Sequence, residues 1–538
     1  MTAKSFSKKA TAVPNDFSEE EVDSSESEDE VIPAANFAGT FSPPPVHMEF
    51  EPIDYFYSMF GKESITLLTE QSNMYSVQTN PNKPARISEV EMAQFIGVLI
   101  MSGIYCFPDQ RFFWMNTTRV ESISSTMSRD RFLEIRKYLH VVDNSNQLDR
   151  NDPDYDRAHK VRPLLNIVKN NFRKIEKEEK LSVDEQIIPF KGRSIMKQHM
   201  PNKPHRWGYK MFLLAVGESG ICYDFLFYVG KSDFDTQEQG FCTRVVLELC
   251  ETVPRSIMHK RFFDNYFTTI KLQVELKKLG IYSVGTVRAN HLPGLIIKDE
   301  KDLSKEGRGS MDHRVAEVDG VQLCAVRWYD NKAVNCLFTL YGCQPTDLVE
   351  RWSSKEKNHI QIARPNIVKA YNQHMGGVDS IDMLISLYRI DGRSRKYYTK
   401  IIFHLIDLSI ANGWLLYRRH CSQLNTQKRD TMSLLSFRIS VAEAMLKSAP
   451  PTPSTKRGRP SLDSTLNENN QTTTSRAVPN SIPPPSVRLD KFDRWPIHTS
   501  KGRCRNFGCI GYTRICCSKC QLCLCLNEKS NCFKDYHH

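Results

Sequence analysis

Leu181-Ser182-Val183-Asp184-Glu185-Gln186-Ile187-Ile188-Pro189-Phe190 reads as a strand, largely apolar, with charge in its middle. Downstream, Lys210 to Val216 and Ile221 to Val229 read as a hairpin turning at Glu218-Ser219-Gly220. Thr243 to Thr252 reads as a helix and Ser256 to Phe263 as a strand. A helix over Thr268 to Leu279, stopped by Gly280, and a strand over Ile281 to Val287 complete the run. Two further blocks set aspartates in apolar surroundings. Asp264 closes Arg261-Phe262-Phe263-Asp264-Asn265-Tyr266, and Asp379 and Asp382 stand three apart in His374-Met375-Gly376-Gly377-Val378-Asp379-Ser380-Ile381-Asp382. The spacing puts Asp379 and Asp382 on one face of a helix expected over Asn366 to Tyr388. Carboxylates gathered from distant parts of a chain can hold two divalent metals for phosphodiester chemistry. Among 62 acidic residues a triple proves nothing by number, so its weight rests on the elements that carry it.

Those elements run β-β-β-α-β-α-β. The order matches the ribonuclease H-like fold, in which the first and fourth strands lie side by side in the sheet centre. Asp184 and Asp264 are therefore expected to be neighbours. Between the last strand and the Asp379 helix, Arg314 to Val318, Val321 to Trp328 and Ala333 to Tyr341 alternate like strands. Asp319-Gly320 and Asp330-Asn331 serve as their turns, and a small β-rich insertion is the economical reading. Helical periodicity over Ile87 to Ile104 and Phe132 to Val142 marks the region before the first strand, and 396 to 447 forms a second helical block.

Composition narrows the class. The first 30 residues hold nine acids and three bases, which leaves about +17 on the rest of a chain whose net charge is +11. That excess suits a polyanionic partner, and equally a generally basic surface. The amino terminus lacks the apolar core of a signal peptide. Of the two most apolar runs, Met92 to Phe107 is too short to span a bilayer and Lys400 to Arg418 carries His404, Asp407 and Asn412. Both read as buried helices, with no membrane partner. Eight of 16 cysteines fall between Cys504 and Cys532, which suits a reduced compartment and one metal-binding tail better than a disulfide framework.

The tail reads Cys504-x4-Cys509-x7-Cys517-x2-Cys520-x4-Cys525-x6-Cys532-x4-His537, the short-range Cys/His spacing of structural zinc. Two zinc ions need eight ligands and these are seven. Cys516, Cys523 or His538 is expected to supply the last.

In this order, Leu-Ser-Val-Asp184-Glu185, Phe263-Asp264-Asn265-Tyr266-Phe267, Tyr371-Asn372-Gln373-His374-Met-Gly-Gly-Val-Asp379 and the cysteine tail resemble the piggyBac transposases and the transposase-derived host proteins related to them. The resemblance implies an α+β multidomain protein. It covers residues 49–538, past an acidic leader (1–48) that composition reads as disordered, and its parts are a helical dimerisation and DNA-binding domain in two segments (49–180 and 389–447) and a ribonuclease H-like catalytic core in two segments (181–290 and 366–388). A β-rich insertion (291–365), a disordered basic linker (448–498) and a cysteine-rich zinc-binding domain (499–538) complete it. It further implies that Asp184, Asp264 and Asp379 are the catalytic triad holding two Mg²⁺ ions, with Asp382 as a nearby fourth acid. A nuclear homodimer that cuts double-stranded DNA at transposon ends and joins it to TTAA targets would follow. So would the rival reading, a domesticated chain that binds DNA or chromatin without cutting.

Candidate DNA contacts are Arg206 and Lys210 in Lys203-Pro204-His205-Arg206-Trp207-Gly208-Tyr209-Lys210, where bases that neutralise phosphates alternate with aromatics that stack on nucleobases, although an ordinary strand entry with snorkelling bases reads equally well. Arg393, Arg395, Lys396 and Tyr397 form a second set after the catalytic helix. Arg457 and Arg459, in Lys456-Arg457-Gly458-Arg459-Pro460, resemble an AT-hook, and also suit a nuclear localisation signal or a plain basic linker. By resemblance the zinc tail reads transposon-end DNA, with chromatin or protein contact as an alternative.

Overall fold

The computed structural model describes residues 37–39, 50–201, 203–230, 240–340, 342–448, 489, 494–528 and 530–538. Most of the acidic leader, and the basic linker with Arg457 and Arg459, lie outside the described residues. The chain divides into two compact units, Met1–Ser454 and Thr455–His538.

The larger unit opens with helices α1 (Pro52–Phe60), α2 (Lys62–Thr79), α3 (Glu89–Ser102), α4 (Glu121–Ser124), α5 (Arg129–Tyr138) and α6 (Arg162–Arg173). Ser88 starts α3 with a reciprocal cap: its Oγ accepts from the Glu91 N–H while the Glu91 carboxylate accepts from the Ser88 N–H. From Phe95 to Ser102 every residue of α3 is buried, as the apolar run Met92 to Phe107 foretells.

The strands and helices that follow are β1 (Lys180–Pro189), β2 (Gln198–His199), β3 (Trp207–Val216), β4 (Cys222–Phe227), α7 (Phe241–Leu249), β5 (Lys260–Phe263), α8 (Ile270–Lys278) and β6 (Tyr282–Thr286). After α9 (Glu300–Glu306) come β7 (Met311–Val318), β8 (Val321–Tyr329), β9 (Ala333–Phe338), β10 (Thr346–Ser353) and β11 (Asn358–Pro365). Helices α10 (Asn366–His374), α11 (Gly377–Leu387), α12 (Tyr397–Gln423) and α13 (Leu434–Leu446) close the unit.

Nine strands make one sheet, ordered β2-β3-β1-β5-β6-β9-β8-β7 with β4 also on β3. β1 runs antiparallel to β3 and parallel to β5, and β5 runs parallel to β6. In the β1–β5 register Val183 faces Phe263. The next residue on each side is Asp184, midway along β1, and Asp264, just past the end of β5, so the two stand at the same level of neighbouring strands.

Three expectations change in detail. The segment read as an insertion does not build a sheet of its own from its first three strands: β9 pairs antiparallel with β6, so β7 to β9 extend the central sheet, and only β10 and β11 form a separate hairpin. The strand expected from Ser256 starts at Lys260, because Ser256 and Met258 adopt positive φ (58° and 68°), which pleated strand geometry does not accommodate. The helix expected over Asn366 to Tyr388 breaks at Met375-Gly376 into α10 and α11.

One apolar core runs from the helices into the sheet, with Phe56, Leu99, Leu165, Leu213, Ile401 and Phe437 all buried in it. Each such side chain contributes roughly 1.5–3 kcal/mol on burial. Three polar residues of the Lys400 to Arg418 run, His404, Asp407 and Asn412, each have a partner. Asn412 Oδ1 accepts from the Cys222 N–H (2.7 Å) and its Nδ2 donates to the Cys222 carbonyl (2.9 Å), at the point where the β3–β4 register shifts. Asp407 pairs with Arg438 at 2.7 Å.

The smaller unit pairs β12 (Pro496–Arg503) with β13 (Tyr512–Cys517) and ends in α14 (Cys532–His537). Its core is Leu522, Leu524, Tyr536 and cysteine sulfurs.

Candidate active site and metal-binding tail

Asp184 sits on a strand paired on both sides, and its side chain is 13% exposed. Burial pushes its carboxyl up to about 7, with Glu185 and Asp264 adding to the rise and Lys203 opposing it. Burial also raises Asp264, whose Oδ1 accepts the Tyr266 N–H at 2.9 Å in the turn that follows β5. Burial thus makes the ionised form costlier at both positions than it is in water.

Helix α11 brings the third block to these two. It can do so because Gly377 has no side chain: a Cβ there would lie 2.1 Å from the Val216 carbonyl oxygen and 2.7 Å from Ser182 Oγ. This close approach seats the first turn of α11 on β1 and β3. Asp379, in that turn, is mostly exposed, and its Oδ1 lies 3.6 Å from Lys203 Nζ. Lys203 Nζ is also 3.9 Å from Asp184 Oδ2, so one ammonium spans the two acids. Burial draws the Lys203 pKa down, but the surrounding acids, Asp184 foremost, leave it raised overall.

Asp382 lies one turn further along α11. Its Oδ1 accepts from Gln186 Nε2 and from Arg389, each at 3.4 Å. Gln186 Oε1 in turn accepts from His404 Nε2 at 2.8 Å. Complete burial pushes His404 down to about 3, so the ring is neutral and its Nε2–H can act as this donor. The chain His404, Gln186, Asp382 fixes one acid through two buried neutral groups.

Asp184 and Asp264 stand at one level of β1 and β5, and Lys203 links Asp184 to Asp379, but the three acids do not close to the mutual spacing that the tail cysteines reach. Their donor set, hard carboxylate oxygens, fits Mg²⁺.

In the tail the seven expected residues fall into two interleaved groups whose ligand atoms lie within 4.8 Å of one another: Cys504, Cys509, Cys525 and Cys532, then Cys517, Cys520 and His537. The donors fit zinc. The His537 Nδ1–H donates to the Phe533 carbonyl at 2.7 Å, which turns Nε2 toward Cys520 Sγ at 3.3 Å as the nitrogen suited to a metal. The Cys525 N–H points at Cys504 Sγ (3.3 Å) and the Cys520 N–H at Cys517 Sγ (3.4 Å), as thiolate ligands require. Cys516, Cys523 and His538 join neither group: Cys516 and Cys523 instead pair through their backbones as an isolated bridge.

The expected DNA contacts separate by exposure. Arg206, Arg393 and Arg395 are exposed. Trp207 is half exposed, its ring tilted at 32° to that of His199 with centres 4.4 Å apart, and Lys197 Nζ lies 5.0 Å from its ring centre. Lys210 is buried, its ammonium 4.4 Å from the Tyr266 ring centre. Lys396 donates to the Lys137 carbonyl and Tyr397 to the Arg157 carbonyl, so both tie the α12 start to the N-terminal helices. Lys203, Gln186 and His404 were not singled out by spacing. Lys203 stood in a quoted basic stretch, whereas Gln186 and His404 gave no signal beyond being polar in apolar runs.

The Transposase IS4 family model matches residues 51–414. The human PiggyBac transposable element-derived protein 3 is 33% identical over 417 residues, covering 76% of this chain and 67% of that protein. The chain belongs to the piggyBac transposase family. The human PiggyBac transposable element-derived protein 2 is 30% identical over 461 residues, covering 84% of this piggyBac-family chain and 71% of the relative. A solved piggyBac transposase, in a synaptic complex with hairpin DNA, has the same fold at TM-score 0.63 and 20% identity, covering 90% of this chain and 98% of that one. Among the described residues no helix is long and apolar enough to cross a membrane.

Proposed function

We propose that the chain is a Mg²⁺-dependent DNA transposase of the piggyBac type, acting in the nucleus as a homodimer and moving DNA by cutting at transposon ends and joining at TTAA. The observation that carries this reading is the position of Asp184 midway along β1 and of Asp264 just past the end of the adjacent parallel β5, with Lys203 within 4 Å of both Asp184 and Asp379 of α11. The order β4-β3-β1-β5-β6, antiparallel through β1 and parallel beyond it, supports a ribonuclease H-like core. Packing of α1 on α12 and α3 on α13, as in the Tyr55 hydroxyl to His420 Nδ1 contact at 3.0 Å, supports a helical domain assembled from two chain segments.

Asp184, Asp264 and Asp379 would hold the divalent ions. When bound, such ions supply an activated oxygen nucleophile and neutralise the leaving oxygen. The chain's own part is positional: β1 and β5 fix two carboxylates, Gly377 lets α11 bring the third, and Gln186 with His404 orients Asp382. Exposed Arg206 and Trp207 offer charge and a stacking face for a distorted DNA end. The cysteine tail would hold zinc and read the transposon end.

A second reading, a DNA-binding protein that no longer cuts, is favoured by the similarity to two transposable element-derived human proteins. Excision from a plasmid carrying the element's terminal repeats separates the two. Mg²⁺-dependent excision by the wild type, abolished in Asp264→Asn, is expected. End binding without excision by the wild type would select the second reading.

A further inference from the structure

Lys203 stands where a cation would be held. Its ammonium lies 3.9 Å from Asp184 Oδ2 and 3.6 Å from Asp379 Oδ1, and its side chain is 25% exposed. The other bases near these acids are committed differently. Lys210 Nζ lies over the Phe212 and Tyr266 rings at 4.6 and 4.4 Å, and Arg389 pairs with Asp382 at 3.4 Å. The carboxylates are spread wider than the cysteine groups of the tail, and an ammonium spans two of them.

Two properties make this more than an ordinary ion pair. Lys203 belongs to the turn between β2 and β3, where its N–H donates to the Met200 carbonyl at 3.3 Å and the Met200 N–H to the Arg206 carbonyl at 2.8 Å, so any change of partner is made by its side chain over a fixed backbone. The same connection carries His205 and Arg206, both exposed. A lysine is a point charge on a flexible four-carbon stem, equally able to face a carboxylate or a phosphate. A divalent ion and an ammonium cannot share the space between Asp184 and Asp379, so they compete for it.

We propose that Lys203 is the resident counter-ion of the carboxylate cluster in the DNA-free chain: it occupies the space between Asp184 and Asp379, is displaced as divalent ions load, and turns to a phosphate of bound DNA. This rests on the two-metal reading above and adds an order to it. Metal and DNA then bind cooperatively, because each removes the other's competitor, and by linkage the factor is the same in both directions. Without DNA, the ammonium keeps the cluster poor in metal. With DNA, the phosphate gives Lys203 an alternative partner.

The test is Mn²⁺ binding by the zinc-loaded full chain, read from the free-ion paramagnetic resonance signal with and without a duplex oligonucleotide. Lys203→Met and Lys203→Gln are expected to bind Mn²⁺ about tenfold or more tightly than wild type in the absence of DNA, since a unit charge about 4 Å away has been removed. Lys203→Arg, which keeps the charge, is expected to stay near wild type. Duplex is expected to tighten Mn²⁺ binding in wild type and to do so much less in Lys203→Met. Equal affinity across wild type, Lys203→Met and Lys203→Gln would overturn the counter-ion proposal while leaving the metal site standing. If no variant shows a Mn²⁺ site that Asp264→Asn removes, the carboxylate cluster is not a metal site, and both readings fall.

Discussion

Asp184 pays for its position in a way that can be measured. Its carboxyl, 3.8 when unperturbed, is pushed up to about 7 by burial and neighbouring acids. A folded-state pKa above the unfolded value means the folded chain holds the proton more tightly. Stability from this group is full below about 4, is lost as pH rises toward 7, and stays lost above that. In metal-free buffer at pH 8, Asp184→Asn is therefore expected to melt several degrees above wild type, and the gain should shrink toward pH 5. Calorimetry that found no gain at pH 8 would mean the carboxylate is not penalised there. The same titration works against function on the acid side: divalent-ion affinity should fall as pH drops through this range, because the proton and the metal compete for one oxygen. Gln186 acts one step back. Gln186→Ala removes the amide that links Asp382 to His404 and should cost ~10–100-fold in metal affinity or cutting, the usual scale for an orienting neighbour.

At the scale of elements, the break between α10 and α11 is what delivers Asp379. Gly377 touches the Val216 carbonyl so closely that Gly377→Ala must lift the start of α11 from the sheet. Cutting is expected to fall ~10²-fold, the effect of misplacing a reacting group by about an ångström, with end binding retained. Parallel loss of end binding would show that the substitution unfolds more than the helix start. In the tail, interleaving makes the two ligand groups unequal, since one offers four sulfurs and the other two sulfurs and a nitrogen among the described residues. Native mass spectrometry during chelation should show the three-donor group losing zinc first. Cys504→Ser should instead weaken the four-sulfur site, and simultaneous release of both ions from wild type would contradict the inequality.

At the scale of the molecule, the N-terminal and C-terminal helices behave as one body with the sheet. Arg438 of α13 reaches Asp407 of α12 at 2.7 Å and the Ile100 carbonyl of α3 at 3.3 Å, and Asp407 also accepts the Ile390 N–H. Both members of the pair are buried. Arg438→Met strands a buried carboxylate and should lower stability by about 3–5 kcal/mol, seen as loss of cooperative unfolding of helices and sheet together. If the helices alone melted earlier, the two segments would not share the core that Phe56, Leu213 and Phe437 outline.

Periodicity, turn chemistry and Cys/His spacing in the sequence determined the strand and helix order, the aspartate that each element carries, the seven tail residues that gather into two groups and the apolar burial of α12. These are local signals, because side-chain alternation, caps and ligand spacing act over a few residues. Tertiary structure alone decided the rest. Whether β9 would pair with β6 or stand apart depends on an edge about 50 residues away, and the seating of the Asp379 helix depends on Gly377 meeting the Val216 carbonyl of β3. Lys203, Gln186 and His404 became part of the site only when folding brought a connection, a strand and a helix to the same carboxylates. The reason is physical: a side chain's charge and hydrogen bonds are set by what packs around it, and those neighbours come from distant parts of the chain.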